Sequence, residues 1–235
     1  MRAAAPGRVA AAGIFGTPSR IARHGRRLVA RAGQGDGMAG LTEIDIAALN
    51  PTQLTLGLQE VERRAARMRE LSPRDLRALK ESKPVPFVIG PKRRLYMIDH
   101  HHLCRALIAI GDGTVLLGEP RADWSDLDPK AFWHRMETEG LCWPIDVDGN
   151  RRPCVKIPRH VSELTDNPWR TLARGVRGKA YANEDTPFQE FMWGNYYRSF
   201  MTTRLLETDI ELAEKLAIKV SLLDEAQDLP GYLGR

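Results

Sequence analysis

The feature that most constrains the fold is a pair of apolar runs, residues 84–89 and 95–98, separated by the turn-forming residues 90–93. Runs of this length around a glycine-proline turn predict a β-hairpin. Beyond the second run, apolar side chains recur with helical spacing at Leu103, Ala106, Leu107 and Ile110. Gly111 is then the expected helix stop. The chain must therefore turn from a buried strand into a helix close to Asp99.

The segments around this unit predict an α+β fold, with a small mixed β-sheet, packed helices and a C-terminal helical subdomain. Residues 44–49 and 114–117 have strand patterns, and residues 59–71 have the period of an amphipathic helix. Ser72-Pro73 is a cap and first-turn pair that starts another helix. We expect the sheet domain to occupy residues 41–125, a mainly helical extension to pack on it over residues 126–225, and residues 226–235 to form a tail.

Local patterns also predict two features of the extension. Phe132, Trp133 and Met136 indicate a helix that packs on the sheet. Asp148-Gly149-Asn150 lies between the runs 143–147 and 153–157, which predicts a second hairpin with αL-tolerant residues at its tip. The aromatic residues concentrated between positions 169 and 200 are expected to form core.

The first 40 residues predict a disordered basic arm. Residues 1–37 contain seven arginines and one acidic residue, which gives this segment a net charge of +6. The whole chain has a net charge of +5, so the other residues sum to about −1. A segment of this composition is expected to be disordered. Three explanations stay open for this arm. The arm follows from an upstream start codon that precedes the true start at Met38, or it is a weak targeting segment, or it is a tail that binds nucleic acid.

Composition argues against several classes of protein. No run approaches the roughly 20 apolar residues that span a bilayer, so no membrane partner is expected. Cys104, Cys142 and Cys154 are an odd number without C-x-x-C spacing, which argues against a disulfide framework and a thiolate zinc site. The sequence therefore predicts a cytoplasmic protein with no metal centre, and it leaves the oligomeric state open.

The most informative stretch is Asp99 to Arg105, where polar residues crowd the strand-to-helix turn. The start of a helix offers free N–H groups and a partial positive charge, which together favour an anion. Asp99 is expected to cap this helix by accepting an N–H from the second or third residue beyond it. His100, His101 and His102 point about 100° apart, and Arg105 is a candidate phosphate donor. A purely structural role is the alternative.

These residues also carry a resemblance. Residues 96–103 resemble the I-D-G-H-H-R signature of the ParB/sulfiredoxin superfamily, with His100 in place of the glycine and Leu103 in place of the arginine. Residues 50–53, Gly57, Glu60-Val61, 84–90 and 98–107 together resemble the putative ParB-like nuclease family. Further matches continue through residues 131–133 and 186–193, so that the resemblance covers roughly residues 44–200.

The resemblance implies a domain whose strand-to-helix junction binds a nucleotide phosphate, with ATP, ADP or CTP as the nucleotide and Mg²⁺ as a cofactor. Glu60, His101 and His102 are then the expected catalytic residues. The expected phosphate-binding residues are Gln53, Asp99, His100 and Arg105. Cys104 follows the histidines instead of preceding a His-Arg pair, which argues against sulfinic-acid reduction and favours a core position.

Three functions remain open at this level. The first is nucleotide-dependent phosphate chemistry of the hydrolase or kinase type. The second is a DNA-associated protein, either a nuclease or a partition-type clamp, for which DNA is a partner besides the nucleotide. The third is a catalytically silent binding module.

Overall fold

The computed structural model describes residues 40–234, so the predicted basic arm lies outside the described residues except for Gly40. The strands in this range are short: β1 (Thr42–Asp45), β2 (Leu49–Asn50), β3 (Thr55–Leu56), β4 (Phe87–Gly90), β5 (Arg94–Met97), β6 (Thr114–Leu117), β7 (Ala122–Asp123) and β8 (Thr165–Asp166). The α-helices are α1 (Leu58–Arg69), α2 (Pro73–Glu81), α3 (His101–Ala109), α4 (Pro129–Thr138), α5 (Pro168–Val176), α6 (Gln189–Tyr197), α7 (Thr203–Thr208) and α8 (Ile210–Val220).

The central sheet is mixed, as the sequence predicts, and is built around the β4–β5 hairpin. Its strand order is β2-β5-β4-β7, with β4 and β5 antiparallel and the outer strands parallel to their neighbours. In the hairpin Phe87 lies opposite Met97 and Gly90 lies opposite Arg94. The other strands form two small pairs, β1 antiparallel to β6 and β3 parallel to β8. The α+β fold class is therefore confirmed.

Three helices begin at the cap residues that their sequences indicate. The Ser72 side chain accepts the Asp75 N–H at the start of α2, and Asp128 and Asn167 cap α4 and α5 in the same way. Each cap is followed by proline in the first turn, where no intrahelical N–H bond is lost. Gly111, with φ of +82°, follows the end of α3 as expected.

The hydrophobic core covers both faces of the hairpin. On one face Phe87 and Met97 pack with side chains from α1 and α3. On the other face Val88 and Tyr96 pack against Phe132 and other residues of and near α4, which confirms the predicted packing of that helix on the sheet. A further cluster joins α5, α6 and α8 around Trp193, whose ring stacks on Tyr181 with centroids 4.6 Å apart.

The second hairpin is much smaller than the sequence suggests. Residues 145 and 151 form a single isolated bridge, and residues 154–156 form one turn of 3₁₀-helix where a strand was expected. Pro144 and Pro153 stand in the two arms, and neither can donate a ladder hydrogen bond. The hairpin prediction is therefore wrong beyond the tip, although Gly149 does take a positive φ of 84° there.

No helix within residues 40–234 combines the length and the apolar character that crossing a membrane requires.

Gly90 tests the packing of the hairpin against α4. A Cβ atom at this position would lie 2.6 Å from Tyr96 Cε2 and 2.7 Å from Phe132 Cε2, closer than real Cβ contacts come. We expect Gly90→Ala to lower the free energy of unfolding by about 1–3 kcal/mol, because the rings must shift in a close-packed core. Urea denaturation measures the change. Gly113→Ala is the control, since no heavy atom lies within 4 Å of its added methyl. Equal effects of the two substitutions would contradict this packing.

Candidate functional site

The strand-to-helix junction contains a left-handed residue at the start of α3. His100 has φ of 68° and ψ of 18°, and the first helical hydrogen bond runs from the Cys104 N–H to the His100 carbonyl at 3.0 Å. No protein acceptor among the described residues takes the N–H groups of His101, His102 and Leu103. The helix thus presents three free amide donors, preceded by an αL residue, which is the geometry of an anion-binding nest.

The expected capping role of Asp99 is wrong. Its carboxylate accepts the N–H of the next residue, His100, at 2.5 Å, and the side chain is 75% exposed. The reason is a shift of one position. Because His100 is left-handed, it occupies the cap position itself, and Asp99 lies one residue too early to reach the first-turn amides. Asp99 therefore keeps one carboxylate oxygen, Oδ2, without a hydrogen-bond partner among the described residues, beside the amide donors.

His101 and His102 point to different parts of one preceding segment. Nε2 of His101 accepts the Thr52 N–H at 3.1 Å, and Nε2 of His102 accepts the Gly57 N–H at 3.1 Å. Thr52 is held further because its hydroxyl donates to the Met97 carbonyl at 2.9 Å. A ring nitrogen that accepts is unprotonated, so these contacts assign the proton of each neutral imidazole to Nδ1. Both histidines thus fix residues 52–57 against the start of α3.

The surroundings keep all three histidines neutral at ordinary pH. Burial lowers the pKa of His101 to about 4. Burial and the nearby charge of Arg170 hold the pKa of His102 well below its usual value. For His100 burial again lowers the pKa, and the charges of Lys83 and Arg64 add to this effect against the opposing Asp99. Positive charge therefore surrounds this side of the junction.

Glu60, in the first turn of α1, is a fixed negative charge. Its Oε1 is 2.6 Å from Arg64 Nη2, and its Oε2 pairs with Arg170 Nη1. Burial alone would raise the pKa of Glu60, but the charge of Arg170 and the hydrogen bonds from Arg170 and Arg64 hold it far below its usual range. The carboxylate therefore orients two guanidinium groups more readily than it exchanges a proton.

Two of the predicted binding residues lie apart from this charge cluster. Gln53 is 3% exposed, and its side-chain amide donates to the Thr55 carbonyl at 2.7 Å, within its own segment. Arg105 is half-buried on α3 and forms no hydrogen bond or ion pair with residues 40–234. The structure thus brings His100, His102 and Glu60 into one electrostatic neighbourhood, and it gives Gln53 a role in the shape of the loop.

Two arginines that were not among the predicted site residues complete the site. Arg64 lies four residues after Glu60, a helical spacing that was visible in the sequence. Arg170 comes from α5, and its Nε is buried without a partner among the described residues, as is the neighbouring Thr171 hydroxyl. Gly57 permits this approach, because a Cβ there would lie 2.7 Å from Thr171 Oγ1. In the sequence Arg170 belongs to a mild basic run with Arg174, Arg177 and Lys179, and no local pattern pairs it with Glu60.

The junction offers few ligands for the expected Mg²⁺. Magnesium in proteins is commonly held by one or two carboxylates together with the phosphates of a substrate. Both oxygens of Glu60 are engaged by arginines, whereas Asp99 is exposed. Asp99 therefore fits as the single protein carboxylate for a magnesium ion that arrives with a nucleotide, where the ion would neutralise phosphate charge.

Two cavities lie in other parts of the described structure. One of about 410 Å³ is bordered by Trp169 and Arg198, and one of about 280 Å³ is bordered by Tyr96, Trp133 and Cys154. Neither is lined by any residue from 99 to 105. A ligand at the start of α3 would thus bind to the polar surface of the junction, outside both cavities.

A small mixed sheet that passes through an Asp-His-His-His junction into a helix is the architecture of a ParB/sulfiredoxin-type domain. The model of the family described as putative ParB-like nuclease matches residues 42–199. The crystal structure of protein Atu1540 from Agrobacterium tumefaciens is similar, with 36% identity, a TM-score of 0.74, and coverage of 83% of this chain and 99% of that one. The chain belongs to the putative ParB-like nuclease family. A comparison with curated proteins gives no match.

The buried imidazole of His101 makes the stability of the protein depend on pH. Below pH 6.5 the ring binds a proton in the unfolded chain, whereas the folded protein resists protonation down to about pH 4. The free energy of unfolding should therefore fall as the pH is lowered from 6.5 to 4, by roughly 3 kcal/mol from His101 alone. Urea denaturation across this range measures the slope. His101→Gln should make this slope shallower, although the lowered pKa values of His102 and His100 keep part of it. His134→Gln, at an exposed position of α4, is the control substitution. Equal slopes for the wild type and His101→Gln would refute the acceptor role.

The left-handed His100 gives a second prediction. A side chain costs about 1–2 kcal/mol in this conformation, and glycine avoids most of that cost. His100→Gly should therefore leave the free energy of unfolding unchanged or raise it by up to about 1 kcal/mol, whereas His100→Val should lower it by about 1 kcal/mol or more. The same change at a regular helical position, His134→Gly on α4, should be destabilising by about 0.5 kcal/mol. Destabilisation by both glycine variants would contradict the αL assignment.

Proposed function

We propose that this protein binds the phosphate groups of a nucleotide at the start of α3. The observation that carries the proposal is the set of free N–H groups on His101, His102 and Leu103 directly after the left-handed His100. Amides in this arrangement converge on one point and add to the positive end of the helix. The binding groups belong to the backbone, so they persist although the signature glycine is replaced by histidine.

The side chains around the junction support an anionic ligand. Lys83 and Arg64 are close enough to lower the pKa of His100 through their charge. Lys83 is exposed and joins no ion pair within residues 40–234, so its ammonium group is available to a phosphate. Arg64 is one-third exposed and is held in place by Glu60. Two positive charges thus flank the amide donors, one on the exposed Lys83 and one on Arg64, which Glu60 holds in place.

The proposed chemistry is nucleotide-dependent phosphate transfer, of the hydrolase or kinase type, carried mostly by electrostatic positioning. In this scheme His101 and His102 act by holding residues 52–57 in register with the helix start, because Nε2 of each ring already accepts a backbone N–H. Glu60 holds Arg64 and Arg170 as preorganised cations. Asp99 is the remaining free carboxylate for activating a hydroxyl or holding a magnesium ion. Gln53 and Arg105 stay as predicted binding residues.

Isothermal titration with the ribonucleoside di- and triphosphates, with and without Mg²⁺, tests the binding. We expect one nucleotide per chain, and Lys83→Gln should weaken binding about tenfold, because a charge-assisted contact to phosphate is lost. Lys219→Gln is the control, since Lys219 is also an exposed lysine and lies on α8. His100→Gly should retain binding, since the amides remain in place.

Three outcomes would count against all or part of this function. Absence of binding for every nucleotide, in a protein whose thermal unfolding is cooperative, would refute the proposal. Tight binding of duplex DNA, with plasmid nicking that disappears in His101→Gln and His102→Gln, would instead favour a nuclease or partition-type role. Nucleotide binding without phosphate release or transfer would support a binding module only.

A further inference from the structure

A second polar cluster lies outside the junction, beside α4. It consists of Glu137, in the last turn of α4, and of Cys142 and Cys154, which are both buried. The carboxylate oxygen and the two sulfur atoms all lie within 4.8 Å of one another. Within residues 40–234 this is the one group of three His, Cys, Asp or Glu side chains that converges so closely.

The chain is folded so that these three side chains meet. The turn at residues 146–150 reverses the chain between the two cysteines, and the Asp146 N–H donates to the Asn150 carbonyl at 2.9 Å. The Cys154 thiol donates to Glu137 Oε1 at 2.8 Å. Arg151, which is half-exposed, also contacts this oxygen at 2.7 Å and thereby orients the carboxylate. The other carboxylate oxygen has no such partner among residues 40–234, so it is available to a further ligand.

We propose that Glu137, Cys142 and Cys154 bind one zinc ion, with the fourth position left to water or a small ligand. Thiolate sulfur selects zinc over magnesium and calcium, and a carboxylate oxygen is an accepted third ligand. With zinc–sulfur bonds of about 2.3 Å and zinc–oxygen bonds of about 2.0 Å, tetrahedral ligands lie roughly 3.5–3.8 Å apart. The cluster reaches that spacing with shifts of about 1 Å. Each thiol releases its proton when its sulfur binds the metal.

The position of the cluster suits an open coordination site. Three protein ligands with an exchangeable fourth position are typical of zinc sites that act on a ligand, whereas structural sites use four protein ligands. Cys154 also lines the cavity of about 280 Å³, together with aromatic residues such as Tyr96 and Trp133 and basic residues such as Arg159. Water or a small anion entering this cavity therefore approaches the metal. Arg151 acts as the outer partner that fixes the carboxylate.

The experiment uses untagged full-length protein, reduced and stripped with a chelator. Titration with Zn²⁺ should give one ion per chain, and Co²⁺ should produce the thiolate-to-cobalt absorption band that reports sulfur coordination. Cys142→Ser and Cys154→Ser should each reduce this band to about half per bound cobalt ion, because one thiolate remains, and should weaken Zn²⁺ binding by more than about 100-fold, since a direct ligand should exceed the 10–100-fold effect of an outer-shell partner. Bound Zn²⁺ should also protect both thiols from alkylation.

Matched controls separate coordination from general damage. Cys104→Ala removes the third cysteine, which is buried in α3, and Glu139→Gln changes a carboxylate two residues from Glu137 that pairs with Arg135. Both should keep one Zn²⁺ per chain and the cobalt band, whereas Glu137→Gln should weaken binding. Thermal unfolding of each variant without metal identifies any that fail to fold, and the cobalt spectrum of the wild type decides the question without them.

Several results would overturn the proposal. One is a wild-type protein that takes up no Zn²⁺ and shows no cobalt–thiolate band. Another is uptake that is equal in the wild type, Cys142→Ser and Cys154→Ser. A third is a Cys142–Cys154 disulfide in protein purified without reductant, combined with no Zn²⁺ uptake after reduction, which would assign the pair to redox chemistry.

Discussion

The junction depends on one kind of interaction, the acceptance of backbone N–H groups by the Nε2 atoms of His101 and His102. Thr52 and Gly57 are the donors, and both belong to the segment that links β2 to α1. This segment has little regular structure of its own, since β3 contains only two residues. Without the two imidazoles its buried amides would lack partners, and each would cost about 1–3 kcal/mol. The histidines therefore determine where α1 begins, and with it the position of Glu60.

The same geometry connects the sheet domain to the helical extension. Glu60, placed by the 52–57 segment, pairs with Arg170 of α5, and the Leu58 N–H donates to Asp166 Oδ1 at 2.8 Å just before that helix. The parallel β3–β8 pair joins the same two segments directly before these contacts. Because Arg170 is 7% exposed, its charge needs the carboxylate close by, and loss of Glu60 would leave a buried cation unpaired. The charge cluster thus serves packing as well as any ligand.

The sequence predicted features that are encoded locally and missed those that depend on distant residues. About a dozen consecutive residues are enough to encode each of three features: the β4–β5 hairpin, the amphipathic period of α1 and the Ser72-Pro73 start of α2. These features could therefore be predicted. The left-handed conformation of His100 was not predicted, although a glycine stands at this position in the signature and histidine is among the residues enriched at positive φ. Arg170 and the Cys142–Cys154 pair were missed for another reason: their partners become neighbours only after the chain folds, and the spacing of the cysteines matches no local metal motif.

The β4–β5 hairpin stands between the two polar sites, and its packing bears on whether they influence one another. Successive residues alternate between its faces, so Met97 packs toward α1 and α3 while Tyr96 packs toward α4. Coupling between two sites requires an element with two arrangements that both ligands favour unequally. On the Met97 face the strand has no free space for a second arrangement, because Met97 is fully buried in a close-packed core. On the other face the Tyr96 ring lies tilted against Phe132, with centroids 4.6 Å apart. The hairpin is therefore expected to keep one conformation when either ligand binds, and each site is expected to bind its ligand independently of the other.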